Sequence, residues 1–264
     1  MKRLIICDID NTLLPAGGEI SPATLDAIHS LDADTGFSIA TGRSYHVVYK
    51  FVEDFGLKLP VITSNGAQVY DYQAHRPIYE SCIDADTAIS VMSKLERDGF
   101  DFVAYGRDGI FYRPGSTHMA FFQNYNLSVR PNLQAPLIPL SEIRPDRIPS
   151  HLTKILVYAP SARLKEDLEK DPLLEVTASM HSVIDIMAAG STKGNAVIAL
   201  ASHLDVPIGN VYCFGDNEND ISMFTCGAVG IAMGNASEET KARAAIITRN
   251  CKDDGVAYAI RHLL

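Results

Sequence analysis

An apolar run that stops on two carboxylates constrains this chain more than any other stretch: Leu4-Ile5-Ile6-Cys7-Asp8-Ile9-Asp10-Asn11-Thr12-Leu13-Leu14. Leu4 to Cys7 reads as a short, fully buried strand. If the backbone beyond it is extended, Asp8 and Asp10, at i and i+2, point to the same side. Two like charges held that close repel, and one carboxyl should have a raised pKa unless a cation lies between them. The pair therefore implies a metal ion, a shared proton or full solvation.

Composition narrows the setting. A chain of 264 residues, 47% apolar and 21% charged, can bury a large core as one or two domains. Its net charge of −9 argues against a nucleic-acid or anionic-membrane binder, whose affinity rests on a basic face. Small anionic substrates stay open, because a metal and a few basic side chains reverse a local field. No apolar stretch approaches the ~20 residues that span a bilayer. Met1-Lys2-Arg3 begins like a signal peptide, but Asp8 and Asp10 interrupt the apolar region too early. Five cysteines without a C-x-x-C point away from a disulfide framework or a structural zinc site. A reducing cytoplasm is the expected setting. His118, His151 and His181 form no spaced metal pair and are expected as surface or packing residues.

Strand and helix signals then alternate. Ser21-Pro22 opens a helix, Phe37 to Ala40 is a strand ending in Thr41-Gly42-Arg43, and Tyr45 to Phe55 is a helix stopped by Gly56. Val61-Ile62 is a third strand, ending in Thr63-Ser64-Asn65-Gly66-Ala67. This rhythm predicts a doubly wound parallel sheet. From about residue 82 to 187 it gives way to hairpins and scattered helices, with Pro131, Pro136, Pro139, Pro145 and Pro149 marking a loop and linker. After Gly190 the α/β rhythm returns: an Ala-rich helix from Lys193, then a strand from Val211 to Phe214 ending in Gly215-Asp216. The expected organisation is an α/β core, residues 1–81 and 188–264, interrupted by an inserted α+β domain, residues 82–187.

In open α/β sheets ligands bind at the carboxyl ends of the strands. Asp8 and Asp10, Thr41, Asn65, and Asp216 with Asp220 all fall there. Lys193 opens a helix after Ser191-Thr192, where the helix start itself favours an anion. Carboxylates suit a hard cation such as Mg²⁺, while a hydroxyl, an ammonium and a helix start suit a phosphate.

The set resembles the haloacid dehalogenase superfamily, and the order of segments is similar to its Cof-type phosphatases. These have a Rossmann-like core with a large inserted cap (type IIB). Asp8-Ile9-Asp10-Asn11-Thr12-Leu13, Thr41-Gly42-Arg43, Lys193, and Gly215-Asp216-Asn217-Glu218-Asn219-Asp220 match the four family motifs. Ser64-Asn65-Gly66-Ala67 and Asp254-Gly255-Val256-Ala257 are also like that subfamily. The family usually has Gly where this chain has Asn11, and Asn is among the few residues that visit the left-handed region readily.

The resemblance implies a cytoplasmic, Mg²⁺-dependent phosphohydrolase of small phosphorylated metabolites, most of all sugar phosphates, with the insert as a mobile cap. Asp8 becomes the nucleophile that forms an aspartyl-phosphate, and Asp10 the acid and base. The metal is held by Asp8, the Asp10 carbonyl and Asp216, with Asp220 supporting. Thr41 and Lys193 bind phosphoryl oxygens, with Asn219 near them and Gly42, Arg43 and Asn65 as substrate contacts. Nucleic acid and membranes are not expected as partners, and the chain is expected as a monomer or small homo-oligomer. The alternatives are a phosphotransferase or phosphomutase using the same aspartate, or a non-catalytic phospho-ligand sensor.

Overall fold

The computed structural model describes residues 1–142, 151–180 and 182–264; Pro145, Pro149 and His181 lie outside them. In chain order the strands are β1 (Arg3–Cys7), β2 (Thr35–Ile39), β3 (Val61–Thr63), β4 (Gln68–Asp71), β5 (Arg76–Glu80), β6 (Asp101–Gly106) and β7 (Gly109–Tyr112). There follow β8 (Leu137–Pro139), β9 (Leu152–Tyr158), β10 (Leu174–Met180), β11 (Val183–Ala188), β12 (Val211–Gly215), β13 (Val229–Ala232) and β14 (Ile246–Ile247). The helices are α1 (Pro22–His29), α2 (Tyr49–Asp54), α3 (Ala85–Arg97), α4 (Ala120–Ser128), α5 (Ala162–Glu169), α6 (Lys193–His203), α7 (Ile221–Thr225), α8 (Glu238–Arg243) and α9 (Gly255–His262).

The chain forms two compact units, one of residues Met1–Gly42, Phe51–Tyr79 and Thr192–Leu264, the other of Arg43–Lys50 and Glu80–Ser191. The first holds a parallel sheet in the order β14-β13-β12-β1-β2. Leu4, Ile6, Val211 and Cys213 of its central strands are fully buried against Ala196, Val197 and Leu200 of α6. Because β1 has β2 on one side and β12 on the other, the strand order switches direction there, and such a switch opens a crevice at the strand ends. Cys7 is level with both Phe214 and Ile39, so these strands deliver their next residues to one edge.

β3, expected as a further strand of this sheet, touches it through a single parallel bridge, Ala40 to Ile62. Its other side pairs antiparallel with β4, from Val61–Tyr70 to Thr63–Gln68, in a separate small sheet, β3-β4-β5.

The second unit is built on a six-stranded sheet, β10-β11-β9-β6-β7-β8. Alternation along β6 sends Phe102 and Ala104 to a cluster with Val91 and Leu95 of α3 and with Leu164 and Leu168 of α5. Val103 and Tyr105 go to another, with Phe122 and Tyr125 of α4. Two expectations are corrected. The proline-rich stretch is not all loop: Leu137 to Pro139 pair in parallel with Ile110 to Tyr112. Proline is tolerated there because β8 is an edge strand. The helix expected over Tyr45 to Phe55 is two pieces, a 3₁₀ turn at Tyr45–Val47 and then α2. The turn is tied into the second unit, where the Tyr45 hydroxyl donates to the Arg107 carbonyl (2.8 Å) and the His46 ring meets the Gly106 carbonyl (3.2 Å).

Candidate active site

Asp8 follows β1 directly, and its N–H donates to the Phe214 carbonyl of β12 (3.0 Å). Beyond it the chain turns sharply: the Ile9 carbonyl accepts the N–H groups of Thr12, Leu13 and Leu14. The turn puts Asn11 at φ 62°, in the left-handed region, as the choice of Asn predicts. Asn235, far along the chain, fixes it by donating from Nδ2 to the Asn11 carbonyl (2.9 Å). Asp10 is left exposed beside the buried Asp8.

The loop after β12 is organised by Asp220, which has no solvent exposure. Its Oδ2 accepts the N–H groups of Asp216 (2.9 Å) and Asn217 (3.1 Å), closing a capping box with Asn217. Gly215 is required at this point, since any side chain on it would overlap the Asp220 carboxyl. Asp216 is held from the other loop, by a hydrogen bond from Thr12 Oγ1 to its Oδ1 (3.2 Å).

Lys193, the first residue of α6, is capped by Thr192 and buried to 1% exposure. An ammonium at a helix N-terminus is unfavourable against the dipole, so it needs anionic partners. It has two: Nζ donates to Asp8 Oδ1 and to Asp220 Oδ1, each at 2.6 Å. Burial alone would lower the Lys193 pKa, but Asp220 and Asp8 outweigh it and hold the group protonated. Two close approaches set α6 in place. Gly66, at φ 94°, lets its loop lie against the Thr192 carbonyl, and Gly194 lets α6 meet the backbone of Ser222, whose hydroxyl accepts the Gly194 N–H (3.1 Å).

Asp8, Asp216 and Asp220 each offer a carboxylate oxygen, and these lie within 4.8 Å of one another. The cluster holds three carboxylates and one ammonium, which pairs with two of them. Burial pushes the Asp8 carboxyl up; Lys193 pulls it down, while Asp220 and Asp10 push it further up. Asp216 is pushed up from 3.8 to about 7, by burial first and by Asp220 second. Hard oxygen donors with an excess of negative charge, in a dry place, fit a divalent cation held by Asp8 and Asp216. Asp220 spends three hydrogen bonds on Lys193 and its own loop, which fits orientation of its neighbours.

Among the other sequence-predicted residues, Thr41 is fully buried, its N–H on the Ile62 carbonyl and its own carbonyl accepting the Asn65 N–H (3.1 Å). Asn65 is left-handed (φ 55°), and its Oδ1 accepts from Asn219 Nδ2 (3.0 Å), so these two brace the loops after β3 and β12 against each other. Gly42 closes the first segment of the first unit. Arg43 packs in the second unit with its guanidinium 5.3 Å from the centre of the Phe121 ring, and the carboxylate cluster is formed without it. Sequence reasoning gave no role to Thr12, Ser222 or Asn235. Thr12 lies within the first motif; the other two have no local signal.

The chain matches the family model of haloacid dehalogenase-like hydrolases over residues 5–260. It is 26% identical to the pyridoxal phosphate phosphatase YbhA of Escherichia coli over 99% of both chains. It is 28% identical to the 5-amino-6-(5-phospho-D-ribitylamino)uracil phosphatase YwtE of Bacillus subtilis, over 99% of this chain and 98% of the relative. The solved structure of a subclass IIB sugar phosphatase superposes with a TM-score of 0.83 at 25% identity, covering 99% of each chain. With its acidic cluster at the switch point of a parallel sheet, the chain belongs to the haloacid dehalogenase-like hydrolases, in the company of phosphatases.

Proposed function

We propose that this enzyme is a Mg²⁺-dependent phosphoric monoester hydrolase of small phosphorylated metabolites, sugar phosphates above all, working through an aspartyl-phosphate on Asp8. The observation that carries the reading is Lys193 Nζ set 2.6 Å from both Asp8 and Asp220, in a cluster that also contains Asp216. The relatives named for phosphatase activity support the reaction class, and the subclass IIB neighbour supports a sugar ester.

The Asp8 carboxylate attacks phosphorus and the ester oxygen leaves. Asp10, exposed two residues on, gives that oxygen a proton and then takes one from the water that hydrolyses the aspartyl-phosphate. Lys193 favours the ionised Asp8 carboxylate and holds it in one rotamer, so that attack needs little reorganisation. Thr41, just past the end of the strand beside β1, is the candidate hydrogen-bond donor to the phosphoryl oxygens. A Mg²⁺ ion held by Asp8 and Asp216 supplies charge neutralisation of the dianionic ester. Phosphate release from a panel of sugar, nucleotide and cofactor phosphates, with and without chelator, tests the reading. Sugar phosphates are expected to be hydrolysed only when Mg²⁺ is present; chelator-resistant turnover would contradict it.

The charge excess also predicts how stability responds to pH. Without the ion, folded Asp216 keeps its proton up to pH about 7, whereas in the unfolded chain it loses it near 3.8. Across that window the unfolded state binds fewer protons, so stability falls as pH rises. Mg²⁺ binds the ionised form and reverses the loss. In thermal melts of chelator-treated protein, Tm is expected to be lower at pH 7.5 than at pH 5. Excess Mg²⁺ should raise it by several degrees at pH 7.5 and little at pH 5. A Tm indifferent to Mg²⁺ at pH 7.5 would remove the metal from these residues.

A further inference from the structure

A second group of metal-ligating side chains lies wholly within the second unit: Glu80, Cys82 and His151. Spacing gives no hint of it, since Cys82 and His151 are 69 residues apart. The backbone brings them together. Ile83 and Leu152 form an antiparallel bridge, the Ile83 N–H donating to the Leu152 carbonyl (2.8 Å), and Cys82 and His151 each precede one member of that pair. Cys82 Sγ lies 3.9 Å from His151 Nδ1, which lies 3.4 Å from Glu80 Oε2. Tetrahedral zinc, with Zn–S of about 2.3 Å and Zn–N or Zn–O of about 2.0–2.1 Å, needs donor separations of about 3.6 Å for S–N and about 3.3 Å for N–O. The observed spacings are within a few tenths of an ångström of these.

The place already attracts positive charge. Arg107 reaches in with one guanidinium nitrogen, 2.7 Å from Glu80 Oε2 and 3.2 Å from His151 Nδ1. Guanidinium has no acceptor, so in the tautomer with a lone pair on Nδ1 that nitrogen accepts from Arg107, and the same lone pair is the one a metal takes. Arg107 is half exposed on a long stem and can leave toward solvent. The thiol, pushed up to about 12 by burial and then by Glu80, is protonated at neutral pH.

We propose that Glu80, Cys82 and His151 form a second cation site, for a borderline-soft divalent ion of the Zn²⁺ type, separate from the Mg²⁺ cluster. On binding, the Cys82 S–H gives its proton to solvent and the sulfur forms the metal bond, Nδ1 and a Glu80 oxygen complete three ligands, and Arg107 swings out. The ion clamps the segment entering the unit at residues 80–82 to the start of β9.

The test is a titration of chelator-treated full-length protein with Co²⁺, in a thiol-free reductant. One equivalent is expected to give thiolate-to-cobalt charge-transfer absorption in the near ultraviolet. The band should survive Asp8→Asn and millimolar Mg²⁺ and vanish in Cys82→Ser. In Glu80→Gln and His151→Ala, affinity should fall at least tenfold, and in Arg107→Gln it should rise as the competing cation is removed. No band in the wild-type protein, or a band that persists in Cys82→Ser, would overturn the proposal.

Discussion

Asp8→Asn is expected to lower phosphate release by at least about 10⁴-fold, the order lost when a nucleophile is removed from a preorganised site. The amide has the shape of the carboxylate but cannot attack phosphorus. The fold should survive the change. Asp220 still accepts from Lys193 (2.6 Å), and without a metal the Asp8 carboxyl is already biased toward its neutral form by burial. Melting temperature in chelator should therefore be unchanged or higher, while the stabilisation by Mg²⁺ shrinks. Steady-state rates beside thermal melts separate the two effects. Retention of more than about a percent of wild-type turnover would show that Asp8 is not the nucleophile.

Lys193→Met is expected to cost both activity and stability, and so to behave differently from Asp8→Asn. Lys193 faces two carboxylates from a position with 1% exposure. Removing the ammonium leaves them uncompensated in a dry place, a change worth about 3–5 kcal/mol when one partner of a buried pair is deleted. For a chain of this size each kcal/mol moves Tm by about 2–4 °C. The loss should deepen as pH rises, because the orphaned carboxylates are tolerated only when protonated. Turnover should fall at least about 10³-fold, since Asp8 loses both its orientation and the charge that favours its ionised form. Melts of wild type and variant at pH 5 and pH 8 check this; a stability gap that narrows toward pH 8 would contradict the charge account.

Much of the site was legible because its parts are local. Asp8, Asp10 and Asn11 sit in one turn, and the left-handed backbone at Asn11 follows from the residue type. Asp216 and Asp220 belong to one loop, and the capping box that closes it, from Asn217 to Asp220, spans four residues. The parallel sheet was legible from its apolar runs. What escaped depends on partners distant in sequence. The hydrogen bond between Asn219 and Asn65 spans 154 residues. The turn at Tyr45–Val47 breaks from the helix after it because its side chains bond to carbonyls at Gly106 and Arg107. β3 carries the β signal of a parallel-sheet strand, but the hairpin partner on its other side takes its ladder. Glu80, Cys82 and His151 follow the same rule: the antiparallel bridge of Ile83 to Leu152 makes Cys82 and His151 diagonal neighbours, which no spacing announces.

The central claim is that phosphorus is attacked twice, first by Asp8, which displaces the ester oxygen, and then by water, which displaces Asp8. The stereochemical course at phosphorus tests it most directly, using a phosphorothioate ester made chiral with two oxygen isotopes and hydrolysed in water of the third, so that the thiophosphate released is itself chiral. Two in-line displacements through an aspartyl-phosphate predict net retention of configuration. Net inversion would mean a single attack by water, and would contradict the role of Asp8 as nucleophile.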